Sequence, residues 1–376
     1  MKIAFIYDAI YPWIKGGVEK RIYEIGKRLV KRGYDVHWYG VRWWFNENKT
    51  QIIEKDGMVL HGVFKPIELY VNGKRSWLEV FFFTCGLSSQ LTKDVFNIID
   101  CQASLYFPCF LAKFHSLLFK SILIITWHEF WGDYWYYYLG KKGIFGKVVE
   151  KLTTKLSQYN VAVSEKTKRD LKDMLKSVEV IPNGVNFKKI QSLKKSDKES
   201  DVIFVGRLIK DKNVDVLIKA ISIVKQELPD IKCLIIGDGP ERTKLEKLVH
   251  DLGLEENVEF LGFVDAHDDV IRYMKASKVF VFPSTREGFG MVALEANACG
   301  LPVITVDCDR NATKDLIEYG VNGFLCHLSE KAIAKNIIVA LDVRTKISEK
   351  CIEYARKFDW DVIVDNYEKF LHRCLT

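Results

Sequence analysis

Val279-Phe-Val-Phe-Pro-Ser-Thr-Arg-Glu-Gly-Phe-Gly-Met-Val-Ala-Leu-Glu-Ala-Asn-Ala-Cys-Gly300 passes from a short apolar run closed by proline, through a glycine-rich turn, into a run of good helix formers. The first part reads as a buried parallel strand and Met291 to Ala298 as a helix, which places Gly288, Phe289 and Gly290 in the turn between them. A glycine-rich turn that opens a helix exposes backbone N–H groups at the positive end of the helix dipole, and this suits a phosphate or the hydroxyls of a sugar. Glu287 precedes the helix and Glu295 lies about a turn into it, so both carboxylates can face one ligand from different heights. An exposed loop glutamate and an ordinary ion pair would account for the same two residues.

The alternation continues in both directions. Val/Ile/Phe-rich runs at Lys2 to Tyr7, Asp35 to Tyr39, Val59 to Phe64, Ile98 to Cys101, Ile122 to Thr126 and Asn160 to Val163 form one series. Val202 to Val205, Lys232 to Ile236, Val258 to Phe260, Val279 to Phe282, Pro302 to Val306 and Gly323 to Leu325 form a second. Amphipathic segments separate the runs, as in parallel sheets covered by helices on both faces. A chain of 376 residues is also too long for one ordinary core. The fold class is therefore α/β, with two doubly wound Rossmann-like domains. The polar stretch Lys188 to Ser200 reads as the linker, giving domains at 1–187 and 188–357. Arg42 to Gly57 breaks the alternation and reads as a surface loop, with Trp43 and Trp44 either touching a ligand or folded onto the core. Two such sheets leave a cleft at the carboxyl ends of their strands, where ligands of this architecture bind.

Composition narrows the class. Hydrophobic residues are 48% and charged residues 28%, which excludes wholesale disorder. Nine cysteines with no Cys-x-x-C pair argue against a zinc ribbon or a disulfide framework and favour a reducing compartment, so a cytoplasmic location is expected. A core strand from the first residues leaves no room for a secretory leader, and no stretch reaches the ~20 apolar residues of a spanning helix. Residues 1–190 hold 29 Lys and Arg against 18 Asp and Glu, a net +11, whereas residues 191–376 hold 27 against 31, a net −4. The basic half suits an anionic surface, though a solvated face produces the same imbalance.

Other segments add candidate chemistry. Gly16-Gly17 follows the first strand and precedes an amphipathic helix, so backbone can approach a ligand there. His128 follows the strand Ile122 to Thr126 and titrates near neutrality when unperturbed, which suits hydrogen bonding or proton transfer at a sugar. Arg207, Lys210 and Lys212 follow the strand Val202 to Val205, where a planar fork and a point charge can neutralise a diphosphate. Gly237-Asp-Gly-Pro240 departs from a dinucleotide fingerprint because Arg242 takes the third glycine's place. Asp307-Cys-Asp309 and Asp265 to Asp269 supply no full ligand set, so no metal is expected. The aromatic run Trp131 to Leu139 with the basic turn Gly140 to Gly146 suits sugar stacking, a membrane interface or a buried helix.

Gly16-Gly17, His128, Ile181-Pro-Asn-Gly-Val185, Gly206-Arg207 with Lys212, Gly237-Asp-Gly-Pro240, and Glu287 through Cys299-Gly-Leu-Pro-Val303 occur together and in order. In this the chain resembles glycosyltransferase family 4, retaining enzymes of the GT-B fold, over nearly its whole length. The resemblance implies transfer of a sugar from a nucleotide-diphosphate donor with retention of configuration and without a metal cofactor. Arg207 and Lys212 would then bind the diphosphate, and Glu295 the ribose hydroxyls. Glu287 with the backbone of Gly288, Phe289 and Gly290 would hold the donor sugar. Gly16 and Gly17 would line the cleft near the phosphates, and His128 would meet the sugar near the reacting carbon. It also implies that the final helix, residues 358–376 with Trp360 and Tyr367 as anchors, joins the first domain. Asp307-Cys-Asp-Arg-Asn-Ala312 departs from the family's glycine-rich turn, and Asn186 replaces its common Asp.

Two other readings share this architecture: a nucleotide-sugar 2-epimerase, and a non-catalytic nucleotide-sugar-binding subunit. The Glu287 to Glu295 pattern with Gly16-Gly17 favours the transferase over the first, and His128 has no evident use in the second. The expected partners are a nucleotide-sugar donor and a glycan or lipid-linked acceptor, with peripheral membrane contact motivated by the basic half and no nucleic acid.

Overall fold

Runs of Val, Ile and Phe that lack polar alternation have no face to offer water, so they form strands covered on both sides. In the computed structural model, which describes residues 1–71 and 74–376, all twelve runs are strands of two sheets. The chain divides into two compact units, Met1–Pro182 with Asp361–Thr376, and Asn183–Trp360.

The first unit's main sheet runs in the order Glu179–Val180, Tyr159–Ala162, Ile122–Trp127, Ile98–Gln102, Lys2–Ile6, Asp35–Gly40, Met58–Gly62, Ile52–Lys55. Every neighbouring pair is parallel except the last, Met58–Gly62 with Ile52–Lys55. The second unit's sheet is parallel throughout: Val258–Gly262, Cys233–Ile236, Ser200–Val205, Ser277–Phe282, Val303–Val306, Gly323–Cys326. In each unit the strand order reverses beside the first strand. Lys2–Ile6 lies between Asp35–Gly40 and Ile98–Gln102, and Ser200–Val205 between Cys233–Ile236 and Ser277–Phe282. At such switch points connections leave in opposite directions and open a crevice at the carboxyl ends.

Two sequence expectations are corrected. Residues 42–57 are not one loop, because Ile52–Lys55 pairs antiparallel at the sheet edge. Trp43 and Trp44 fold inward, their indole N–H groups donating to the carbonyls of Asp8 at 2.9 Å and Thr50 at 3.0 Å. The lysine-rich stretch after residue 187 is not a free linker either. Phe187–Ser192 is a helix whose Phe187 and Ile190 are buried, and Gln191 Nε2 donates to the Ala298 carbonyl at 2.6 Å. Those apolar anchors hold the segment to the second unit, so the division falls at Pro182–Asn183. At the other end it falls after Trp360, which is buried and whose N–H donates to the Val185 carbonyl at 3.1 Å.

The terminal helix Trp360–Leu375 docks from Asp361 onward on the first unit and buries Ile363, Val364, Tyr367 and Leu371. Each such side chain contributes about 1.5–3 kcal/mol. Arg28 bonds Asp361 at 2.7 Å, Arg32 pairs with Asp365 and Glu368, and the Tyr34 hydroxyl donates to Glu368 at 2.7 Å. The residues at 361, 365 and 368 share one helix face, so these pairs set the helix's rotation more than its stability.

On the same sheet His37 Nδ1 and His61 Nε2 lie 2.7 Å apart, with Tyr39 stacked on His61 at 4.2 Å between ring centroids. Burial lowers both pKa values, His61's to about 4, with the charge of Lys2 adding to the effect while Asp35 and Asp94 oppose it at His37. Above about pH 6.5 neither ring is charged in the folded or unfolded chain. As pH falls towards 4 the unfolded chain takes up protons that the folded chain refuses, so stability declines across that window. Replacing His61 by Phe keeps a ring against Tyr39 and removes one titration. The thermal midpoint of the variant should fall less steeply than wild type between those two pH values, and equal slopes would contradict this.

Candidate active site

In the second unit, the loop after Ser200–Val205 is built by close backbone approach. Gly206 N–H donates to the Ile236 carbonyl at 3.0 Å, and Leu208 N–H to the Asp238 carbonyl at 2.9 Å. Gly237 has φ +134°, and a Cβ there would lie 1.9 Å from the Gly206 carbonyl oxygen, so only glycine fits. Thus Gly237-Asp-Gly-Pro240 braces the Gly206-Arg207 turn. Arg207 emerges exposed from this braced turn, with no side-chain hydrogen bond or ion pair among the described residues. Its guanidinium is a positioned, uncommitted cation.

The same loop continues through Lys210–Lys212 and is tied to the end of the neighbouring strand. Asn213 Nδ2 donates to the Pro283 carbonyl at 2.9 Å, and Thr285 N–H to the Asp211 carbonyl at 2.9 Å. This brings Lys212 onto Glu287, the two forming a partly exposed ion pair, with Lys212 Nζ 4.8 Å from the Phe282 ring centroid. Glu287 is fixed through its backbone: its N–H donates to the Arg310 carbonyl at 2.9 Å and its carbonyl accepts from Ala312 at 3.0 Å. The turn that departs from a glycine-rich pattern is thereby explained. Asn311 is buried, donates to Thr305 Oγ1 at 3.0 Å and the Val306 carbonyl at 2.9 Å, and caps the following turn by accepting from Thr313 N–H at 3.1 Å.

Gly290 opens the helix Met291–Ala298 at φ +96°, and a Cβ would lie 2.2 Å from Thr313 Oγ1. Gly288 is partly exposed and Phe289 buried, its ring 6.4 Å from that of Phe358. Glu295 sits within the helix, and its Oε1 lies 2.9 Å from His267 Nε2. His267, set in the polar stretch Asp265 to Asp269, was not legible as a site residue, because nothing in its local sequence points towards Glu295. After Val303–Val306, Lys314 sits 2.8 Å from Asp307 and 3.7 Å from Asp309.

In the first unit, Gly16 is exposed and Gly17 partly exposed where the helix Gly17–Lys31 begins, after the switch-point strand Lys2–Ile6. His128 follows Ile122–Trp127 and is buried. Its Nε2 lies 2.8 Å from Gln102 Oε1, and Gln102 Nε2 donates to Asp100 Oδ1 at 2.8 Å, which fixes the amide and makes His128 Nε2–H the donor. Nδ1 is then the acceptor side of the ring. Asp100 also accepts from Thr126 at 2.7 Å and from the Tyr367 hydroxyl at 2.6 Å. Burial, and secondly the charge of Arg21, hold the His128 pKa down at about 3, so the ring is neutral at ordinary pH. Asp100 and Gln102 behind it are revealed only by the fold. Ile181-Pro-Asn-Gly-Val185 is a structural joint: the Pro182 carbonyl accepts from Arg21 at 2.7 Å, and Val185 pairs with Asp359.

Residues 185–358 match the family model described as glycosyl transferases group 1, and residues 15–189 match that of glycosyltransferase family 4. An uncharacterized glycosyltransferase of Haemophilus influenzae is 26% identical over 344 residues, which cover 91% of this chain and 90% of that protein. The gpi3 subunit of the phosphatidylinositol N-acetylglucosaminyltransferase of Schizosaccharomyces pombe is 28% identical over 80% of this chain, which spans 64% of that subunit. Among solved structures, Anabaena HepE in complex with UDP-glucose superposes with a TM-score of 0.74 at 20% identity, over 99% of this chain and 100% of that one. With adjoining family matches across 15–358 and two parallel α/β units of that architecture, the chain belongs to glycosyltransferase family 4 and is a glycosyltransferase of the GT-B fold.

Proposed function

We propose that the chain transfers a sugar from a nucleotide-diphosphate donor to a glycan or lipid-linked acceptor, with retention of configuration. The observation that carries this reading is Arg207, an exposed cation on a braced turn with no side-chain partner among the described residues, in the same loop as Lys212, which pairs with Glu287. A diphosphate leaving group develops negative charge as the glycosidic bond breaks, and preorganised cations stabilise that charge with little reorganisation. Arg207 offers two parallel N–H bonds to phosphate oxygens and Lys212 a point charge. In this reading they supply the positive charge of the site and no metal is required. Glu287 and the N–H groups of the Gly288-Phe-Gly290 turn meet the donor sugar, while Glu295, oriented by His267, accepts from the ribose. Gly16 and Gly17 admit the phosphates closely. His128, neutral and with Nε2–H committed to Gln102, presents Nδ1 as a hydrogen-bond acceptor to a sugar hydroxyl.

The HepE structure is described as a complex with UDP-glucose, and the fission yeast subunit is named for a phosphatidylinositol N-acetylglucosaminyltransferase. Both support a nucleotide sugar and a lipid-linked acceptor here. The basic first half of the chain, with +11 against −4, suits an acceptor presented at an anionic inner membrane face. No helix among the described residues is long and apolar enough to cross a membrane, so contact would be peripheral.

Purified protein offered a panel of UDP-, GDP- and ADP-sugars should release nucleoside diphosphate from one of them, and release should rise with a membrane lipid extract. Interconversion of the sugar without release would instead establish an epimerase, and tight binding without turnover a non-catalytic subunit. The pH profile supplies a second check. With the His128 pKa at about 3, kcat/KM should show no ascending limb near pH 6.5 that disappears in His128→Gln. A limb that vanishes with the substitution would contradict a neutral His128.

A further inference from the structure

Fifteen of the 25 exposed large hydrophobic side chains among the described residues fall between Trp77 and Leu152, about a fifth of the chain. They are not scattered. Twelve of them form outward stripes on three helices of the first unit: Trp77–Leu91, Tyr106–Phe119 and Gly143–Thr153. Leu78 and Phe81 are 66% and 61% exposed, Phe114 and Leu117 57% and 68%, and Ile144 and Phe145 43% and 72%.

The opposite faces of the first two helices share one core. Val80, Phe83 and Leu87, with Tyr106, Cys109 and Ala112, belong to the same buried cluster on the sheet, and Val149 of the third helix packs against it. The first helix packs on the second and the second on the third. With inner faces on one core and each helix packed on the next, the outward faces lie side by side. A helix apolar on both sides satisfies only one of them by packing on its own sheet. An apolar surface of this extent marks a place where something else is covered.

Charge identifies what covers it. The three helices carry two acids, Glu79 and Glu150, and both are buried: Glu79 bonds Arg75 at 2.7 Å, and Glu150 accepts from Tyr106 and from the backbone of Trp131 and Gly132. Their bases, Lys113, Lys147 and Lys151, all reach solvent, and Lys120, Lys141, Lys142 and Lys155 flank the same helices, exposed. Among the described residues, Lys147 alone of these has an ion-pair partner, Asp133 at 2.5 Å. An apolar, aromatic-rich face rimmed by lysines is complementary to a lipid surface with anionic headgroups. A second copy of the chain would set lysine rim against lysine rim.

We infer that this three-helix face is a monotopic membrane-docking surface, inserting its apolar side chains to the depth of the headgroup and acyl boundary while the lysines engage anionic lipid. It deepens the proposed function by naming the surface that brings the site to a lipid-linked acceptor, and it is tested without reference to turnover. The experiment is flotation with vesicles of phosphatidylcholine alone and with about a third phosphatidylglycerol. Wild-type protein should float with the anionic vesicles. Leu117→Ser with Phe145→Ser, both exposed, should cut binding by at least about tenfold with an unchanged thermal midpoint. Lys141→Glu with Lys142→Glu should weaken binding to the anionic vesicles and reduce its salt sensitivity. Wild-type protein that does not float, or serine variants that float equally well, would overturn the inference. So would wild-type self-association in sedimentation velocity that the serine substitutions abolish, since a second copy would then be the occupant. Donor-dependent release of nucleoside diphosphate without flotation would sink the docking surface and leave the proposed transfer standing.

Discussion

Asp100 is a carboxylate inside a parallel sheet, and the first unit is arranged around keeping it satisfied. An isolated charge buried there would cost several kcal/mol, and burial does push its pKa up, opposed by Tyr367, Thr126, Arg21 and Gln102. Each partner ties a different part of the chain to the same point. Tyr367 brings the terminal helix, Thr126 the neighbouring strand, and Arg21, itself held by the Pro182 carbonyl, the helix that begins at Gly17. Gln102 carries the constraint to His128 and decides which ring nitrogen is left as the acceptor. One buried acid therefore couples the packing of the last helix to the orientation of a candidate site residue.

The second unit solves a different problem, which is to hold positive charge ready for a ligand. Glycine backbone contact at Gly206 and Gly237 fixes the turn from which Arg207 projects, and the ties from Asn213 and Thr285 deliver Lys212 to Glu287. Among the described residues Arg207 has no side-chain partner to give up and Lys212 has one, so a phosphate bound as proposed would meet one free cation and one that must exchange a carboxylate for it. Separating these roles lets the site stay charged without collapsing on itself.

The sheet strands were legible because a parallel strand buried on both faces has no alternative pattern, and all twelve apolar runs form strands. Ile52–Lys55 was not, since an antiparallel edge strand carries polar residues that read as loop. Phe187–Ser192 was masked by its lysines, although two apolar residues suffice to anchor it. At the candidate site, glycine-rich turns and cations after strands stand out locally, whereas Asp100, Gln102 and His267 act through residues 26 to 267 positions away and have no local signature. The outward stripes on the three helices escaped for a related reason. Apolar residues on both faces erase the periodicity that normally separates inside from outside.

The most direct test of the account is calorimetric titration with a nucleoside diphosphate and the matching monophosphate, against wild type, Arg207→Ala and Lys212→Ala. The account predicts that wild type prefers the diphosphate, and that either substitution weakens diphosphate binding by about 10- to 100-fold while leaving the monophosphate nearly unchanged. Equal affinity for the two nucleotides in wild type, or a diphosphate preference that survives both substitutions, would contradict the assignment of these cations to the leaving group.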